Sequence, residues 1–492
     1  MESASLAQPV TMGIQVADKG LKKNAITFLS NVVIGVASTA PAYSLAATLG
    51  LIAGFAAFGA PAVMIVAFIP MLFIAAAYYY LNRADPDCGT TFSWVTRAMG
   101  PHAGWMGGWA IIVTDIIVMP SLAAIAGRYS FQLLGNNDPT TFEVTLVGVT
   151  WIVVMTAICY IGIELSARTQ QFLLGAEMVV LVIFAVVALV KVYSGNGLPT
   201  SHHISLSWFN PFDVSRFNNF TEAILLAVFI YWGWDSGVTV NEETKDSGTA
   251  PGWAAIVSTI VLVGIYVVVA AAATAFAGPD LLSKNSSDIF ARIGHNVLGS
   301  GFDKLLIIAV LTSASASTQT TILPTARTAL SMARAGAIPR RFGDVHPRYL
   351  SPGFATLMMG GISILWYVGL TLVSTNVLGD SILALGLGIA FYYGLTGFAC
   401  VVFYRRELLK SARNFIFIGV APMAGGLILF ALFVKSCFDL GKKGAGSTVI
   451  FGIGGPLVIG LGALLIGLVV MVFAQRGLPE FFERKPEIAR RE

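Results

Sequence analysis

Twelve times along 492 residues the sequence runs apolar for roughly 20 residues or more, at about 26–51, 57–81, 104–134, 143–162, 169–193, 218–240, 253–277, 303–326, 353–374, 379–403, 412–434 and 448–474. At about 1.5 Å of rise per helical residue, each run can cross a hydrocarbon core about 30 Å thick. Lipid offers backbone N–H and C=O groups no partner, so a spanning segment must satisfy them internally, and these runs lack the alternation of barrel strands. The expected fold is an all-α integral membrane bundle of about twelve transmembrane helices. Composition agrees, with 56% of residues hydrophobic and 11% charged, against about 25% charged in a soluble domain.

Orientation is read from Lys and Arg in the loops. With both termini cytoplasmic, about 21 of the 30 basic residues fall inside, among them Lys19, Lys22, Lys23, Arg97, Arg327, Arg334, Arg484, Lys485, Arg490 and Arg491. The net charge of +4 therefore reports topology in an inner (plasma) membrane and not nucleic-acid binding. Residues Met1 to Lys23 are polar and precede a full-length span, so no cleavable signal peptide is expected. Cys88, Cys159, Cys400 and Cys437 are isolated and imply neither a disulfide framework nor a metal pair. Walker and HExxH motifs are absent and the five histidines sit in or beside loops, which argues against an enzyme and calls for no cofactor or metal.

Two spans carry helix-breaking residues near their middles. The first holds Gly35-Val36-Ala37-Ser38-Thr39-Ala40-Pro41, and the sixth holds Tyr231-Trp232-Gly233-Trp234-Asp235-Ser236-Gly237. Breaks five spans apart point to an inverted repeat of five plus five helices, about 26–193 and 218–405, with a binding site at the breaks. Unwinding frees backbone groups: the positive end of a half-helix can face an anion, and freed carbonyls can face a cation or an ammonium. The alternative is that Pro41 and the glycines merely kink packed helices.

Four stretches together resemble the amino acid/polyamine/organocation superfamily of secondary transporters. They are Pro86 to Trp94 with Gly100 and Gly104 to Trp109; Gly162 to Gln170; Trp232 to Lys245 with Pro251; and Thr325-Ala326-Arg327 with Ala333 to Pro339 and Pro352. The resemblance implies ten core helices in two inverted repeats, here 26–405, plus two peripheral helices within 406–475, between a cytoplasmic segment 1–25 and a cytoplasmic tail 476–492. It also implies alternating access driven by a coupled ion or by exchange. Two departures stand out. The family's glycine-small-glycine motif in the first helix, which holds a substrate carboxylate, keeps one glycine in Gly35-Val36-Ala37, and Glu177 stands about where some members carry a lysine.

Ionisable groups inside a bilayer cost several kcal/mol and normally face a cavity or a partner. Asp115, Glu177 and Asp235 meet that description, and none has an evident buried basic partner in the sequence. Asp235 is expected to contact a substrate amine or the coupling ion, or else to cap the broken helix. Asp115 is expected at the substrate or in a structural hydrogen bond, and Glu177 in proton coupling. Trp232 and Trp234 flank Gly233, and with Tyr231 they could wall a pocket offering cation–π contact. Ser38, Thr39 and Ala40 supply hydroxyls and backbone at the first break, unless the hydroxyls bond back to their own helix. The eighth span, Thr312 to Thr321, is rich in hydroxyls; Ser313 is its coupling candidate, and a sodium site and tight helix packing are its other readings. Glu242 and Glu243 are expected in gate or loop salt bridges.

These residues lead to an expected importer of an amino acid or small amine, coupled to protons, with a slight tilt toward amines or cationic amino acids. The alternatives are an exchanger, a sodium symporter and, from a different class, a channel.

Overall fold

The computed structural model describes residues 18–213, 217–284, 289–374, 377–442 and 444–486. Parts of the expected terminal segments, 1–17 and 487–492 with Arg490 and Arg491, lie outside the described residues. The chain is almost entirely helical: α1 (Phe28–Ser38), α2 (Pro41–Ala56), α3 (Ala60–Ala84), α4 (Thr91–Met99), α5 (Pro101–Leu133), α6 (Thr141–Ile161), α7 (Ile163–Tyr193), α8 (Phe217–Ile230), α9 (Ser236–Thr239), α10 (Ala250–Ala277), α11 (Pro279–Lys284), α12 (Ile289–Leu298), α13 (Lys304–Arg334), α14 (Gly353–Val373), α15 (Val377–Phe403), α16 (Ala412–Asn414), α17 (Ala421–Leu440), α18 (Gly455–Gly477) and α19 (Pro479–Phe482). Among the described residues, ten helical stretches are long and apolar enough to cross a membrane, the first of them the 57-residue run Phe28–Ala84. This is a multi-span membrane protein.

Local signals explain where the helices begin. Proline stands in the first turn of α2, α3, α5, α10, α17 and α18, where its missing N–H costs nothing. Thr140 and Glu143 form a capping box at the start of α6. Gly162, at φ +131°, separates α6 from α7 in a conformation open chiefly to glycine.

Several boundaries differ from the expected runs. The eighth apolar run, expected to stop at 326, continues as α13 to Arg334, because Thr325 to Arg334 find polar partners at the bundle end; Arg327, expected in a loop, is instead 2% exposed inside α13. The last run does not begin as helix: Val449–Ile450 pairs with Ile453–Gly454 in a two-residue antiparallel hairpin, and α18 starts at Gly455. The eleventh run opens with a π-helical turn, Phe415–Val420, before α17.

Burial sorts the bundle into an interior and a lipid face. Helices α5 and α13 pack on each other and are the most enclosed long spans. By contrast Phe172, Val179, Leu365, Leu372, Phe430 and Phe473 project outward from α7, α14, α17 and α18, as a surface solvated by lipid requires. Helix α15 joins the layers, packing on α5, α17, α4 and α18.

The two interrupted helices meet at small residues, which lets backbones approach closely. A Cβ on Gly237 would lie 2.5 Å from the Asn31 carbonyl oxygen and 3.4 Å from the Gly35 nitrogen, so α9 rests directly on the backbone of α1. Asn31 Nδ2 donates to the Gly237 carbonyl at 2.8 Å across the same contact. Replacing Gly237 with Ala should therefore force α1 and α9 apart and cost about 1–3 kcal/mol, the usual range for overpacking. Gly361 of α14 has open space around it, so Gly361→Ala should leave stability unchanged. Thermal melting of the two purified variants in detergent checks the contrast; equal melting would remove the contact as a determinant of the fold.

Candidate functional site

The first break is a single left-handed residue. Ala40 sits at φ +47°, a conformation that costs a non-glycine residue on the order of 1–2 kcal/mol, between the end of α1 and Pro41 at the start of α2. Each backbone group released here has a partner. Ser38 O accepts from Ser317 Oγ at 2.9 Å, and Thr39 O accepts from Ser44 Oγ at 2.7 Å. At the start of α2, Ala42 N donates to Glu177 Oε1 at 2.6 Å, and Tyr43 N donates to Ser313 Oγ at 3.2 Å. Ser313 Oγ donates in turn to the same Glu177 oxygen at 2.9 Å. Glu177 thus caps a half-helix from the middle of α7, with its carboxyl group at the positive helix end. Its other oxygen, Oε2, is buried without a hydrogen-bond partner.

The second break spans Tyr231–Asp235 between α8 and α9, with Gly233 at φ +116°. A Cβ on Gly233 would lie 2.8 Å from Ser38 O, so glycine is required both for the turn and for its approach to the first break. The breaks are joined directly by a 2.9 Å hydrogen bond between the Ser38 and Ser236 hydroxyls. Tyr266, from α10, reaches both, donating to Ile230 O at 2.7 Å and to Thr39 Oγ1 at 3.3 Å.

Asp235 is 3% exposed and is ringed by phenols. Tyr393 OH donates to Oδ1 at 2.8 Å, while Tyr392 and Tyr78 OH donate to Oδ2 at 3.2 and 3.5 Å. Trp234 packs against Tyr78 and Tyr393, with ring centroids 5.0 and 5.2 Å away. Trp232 Nε1 donates to Tyr392 OH. A carboxylate amid aromatic faces is a setting that recognises an organic cation through charge and cation–π attraction together.

The structure gathers most of the expected residues at the breaks and gives Tyr231 and Asp115 structural partners, for Asp115 the hydrogen bond expected as its alternative. Ser38, Ala40, Trp232, Trp234 and Asp235 lie at the paired breaks, with Glu177 and Ser313 behind the first. Thr39 is there too, but its hydroxyl donates back to Val36 O at 2.8 Å, the local bond foreseen as its alternative. Tyr231 turns away: its hydroxyl donates to Met64 O at 3.0 Å and braces α8 on α3. Asp115 accepts from Thr325 Oγ1 at 2.5 Å, a link between α5 and α13. Tyr78, Tyr266, Tyr392, Tyr393, Ser236 and Ser317 were not singled out from the sequence. The Tyr392-Tyr393 pair in an apolar run and the Tyr78-Tyr79-Tyr80 triplet were the available signals.

Below the breaks, the family-like stretches converge at the bundle end that carries Lys19 and Lys485. Glu243 pairs with Arg327 at 2.5 Å, both almost wholly buried. Lys19 Nζ pairs with Asp87 at 2.9 Å and Glu242 at 2.5 Å, and Ser93, Ser331 and the Gly89 N–H also donate to Asp87 Oδ1. Asp87, Cys88 and Glu242 have the spacing of a metal cluster that the isolated cysteines did not foreshadow, but the Lys19 ammonium lies among their ligand atoms. Burial alone would push the Asp87 carboxyl up, yet Lys19 and the hydroxyls hold it below the usual carboxylate range. Burial alone would likewise lower Lys19, yet Cys88, Asp87 and Glu242 hold it above the ordinary lysine value. A depressed acid keeps its contribution to stability above its unfolded pKa, about 4, and a raised lysine keeps its contribution below about 10. This latch is therefore insensitive to pH across the physiological range.

Residues 25–461 match the Amino acid permease family. The chain is 24% identical over 416 residues to the low-affinity putrescine importer PlaP of Escherichia coli (strain K12), covering 84% of this chain and 88% of the relative. It is 25% identical over 392 residues to the branched-chain amino acid permease BcaP of Bacillus subtilis (strain 168), covering 75% and 78%. With the mitochondrial cationic amino acid transporter 3 of Arabidopsis thaliana it shares 22% over 358 residues, covering 68% and 56%. By this match across most of its length, the chain belongs to the amino acid permease family.

Proposed function

We propose that this permease imports an amino acid or small amine by alternating access, with the substrate held where the two helix breaks meet and protons as the coupling ion. Transport, and not catalysis, is its function, the bacterial relatives support a plasma membrane location, and the excess of Lys and Arg in the expected inside loops supports placing the end that carries Lys19 and Lys485 in the cytoplasm. Counting Phe28–Ala84 as two crossings and the α8–α9 pair as one brings the crossings to twelve. On that count 26–405 forms the two inverted repeats of the core, and 406–475 adds the peripheral helices.

The observation that carries this reading is that each break has its own buried carboxylate. Asp235, ringed by Tyr78, Tyr392, Tyr393 and Trp234, suits a substrate ammonium, which would take over the phenol hydrogen bonds. Glu177, with one oxygen committed to α2 and Ser313 and the other unpartnered, suits a proton carrier whose charge changes the hold on the first break. Putrescine in one relative's name and amino acids in others' bracket the substrate class without choosing within it. One observation favours sodium as the coupling ion instead: Ser313, Ser317 and the Ser38 carbonyl bring oxygen atoms together beside the first break.

Purified protein in liposomes should accumulate members of an amino acid and amine panel under an inward proton gradient; no uptake and no counterflow across the panel would sink the proposal. Dependence on a sodium gradient alone would select the second reading, and trans-stimulated exchange without gradient dependence would select an exchanger. Glu177→Gln should abolish accumulation driven by a pH gradient while leaving exchange largely intact, and unchanged accumulation would remove Glu177 from coupling. For an amine-bearing substrate, Asp235→Asn should raise KM by about 10–100-fold, since a hydrogen bond to a charged group contributes about 1.5–3 kcal/mol. An unchanged KM would place the ammonium elsewhere.

A further inference from the structure

At the bundle end where Lys19 is seated, a cavity of about 260 Å³ lies between the segment at Lys19, α4, α13 and the stretch after α19. A single water needs about 10–15 Å³, so there is room for a ligand of many atoms. The charge around it is one-sided. Lys19, Arg97, Arg334, Arg484 and Lys485 line it, and Asp87 is the one acid among the described lining residues. Asp87 and Glu242 balance Lys19, and Asp85 balances Arg97 at 3.0 Å. Nearby Asp18 is held by Lys23 at 2.7 Å. Arg334 donates to the Lys19 carbonyl at 3.2 Å, and Arg484 lies 5.7 Å over the Phe481 ring. Neither of those arginines, nor Lys485, forms an ion pair among the described residues.

Three cations that form no ion pair among the described residues, with Asp18 paired to Lys23 and acting on Arg334 only from farther off, face a concave space and repel one another unless an anion joins them. Two arginine forks beside a lysine match the tetrahedral oxygens of a phosphate group, which guanidinium binds through paired N–H donors. We infer that this cavity binds a phosphate group, carried either by an anionic lipid or by a soluble phosphate compound, and that the bound phosphate holds this end of the bundle closed. The second half rests on the alternating-access reading above. The walls come from four separate segments, including Lys19 itself, so a ligand bridging them favours the arrangement in which Lys19 is seated between Asp87 and Glu242.

Thermal melting of the full-length protein tests the site without measuring transport. Pyrophosphate and ATP are titrated in neutral detergent against chloride at matched ionic strength, and nanodiscs of phosphatidylcholine are compared with and without phosphatidylglycerol. The Arg484→Gln/Lys485→Gln variant changes only exposed side chains and should fold normally. Stabilisation by pyrophosphate or ATP in detergent, weakened about tenfold in apparent affinity by the variant, identifies a soluble phosphate. Stabilisation by phosphatidylglycerol alone, lost in the variant, identifies a lipid headgroup. No stabilisation by any probe, or equal stabilisation of both proteins, overturns the site.

The closing role is read from maleimide labelling of Cys88, which is buried beside Lys19 and followed by peptide mass spectrometry. The stabilising probe should slow labelling severalfold in the wild type and not in the variant; an unchanged rate overturns that role. If binding and slowed labelling are found but liposomes transport nothing, the site stands and the proposed transport function fails.

Discussion

A helix can stop half-way through a membrane only if something other than water or lipid takes up the backbone groups it releases. That constraint organises this protein. At the first break the released groups are met by Ser317, Ser44, Glu177 and Ser313, and at the second by Tyr266 and Tyr393. Apart from Ser44 of α2, these partners arrive from α7, α10, α13 and α15, so the two short interruptions dictate how four other helices must be placed. The Gly233 and Gly237 contacts follow from the same demand, because the breaks serve one another only at backbone distance.

The same polar groups that make the breaks tolerable make them usable. A side chain that caps a half-helix through one hydrogen bond can release it to a ligand offering an equivalent bond, at little net cost. Glu177 and Asp235 differ in this respect. Glu177 is tied to backbone and hydroxyl, so a change in its charge acts on the position of α2, whereas Asp235 is tied to phenols that a ligand can displace. The division of labour proposed between coupling and recognition rests on that difference in partners.

The ion pairs at the bundle end around Lys19 are of another kind. Arg327–Glu243 is fully buried, and such a pair adds little over apolar packing but is costly to break one partner at a time. It joins α13 to the stretch after α9. Lys19 extends the closure into the segment before α1, and its link to Asp87 and Glu242 ties that segment to the α3–α4 connection and to the stretch after α9.

Much of this was legible in the sequence. Hydropathy alone determined a helical membrane bundle, because the length of an apolar run and the absence of water leave a chain no other choice. The breaks were legible too, since glycine, proline and a carboxylate in mid-span are expensive without a purpose. What the sequence could not decide was which residues meet. Tyr78, Tyr392 and Tyr393 look like ordinary apolar-run aromatics until α3 and α15 bring their hydroxyls to Asp235. Tyr231, the first residue of the break, turns out to brace the end of α8 on α3, because its hydroxyl finds the Met64 carbonyl there. Arg327 was placed in a loop because a charge ends an apolar run, yet Glu243, more than eighty residues earlier, lets α13 continue with the arginine inside it. Partners set by packing across distant segments are decided only by the tertiary structure, since burial and pairing are properties of the assembled neighbourhood and not of the residue.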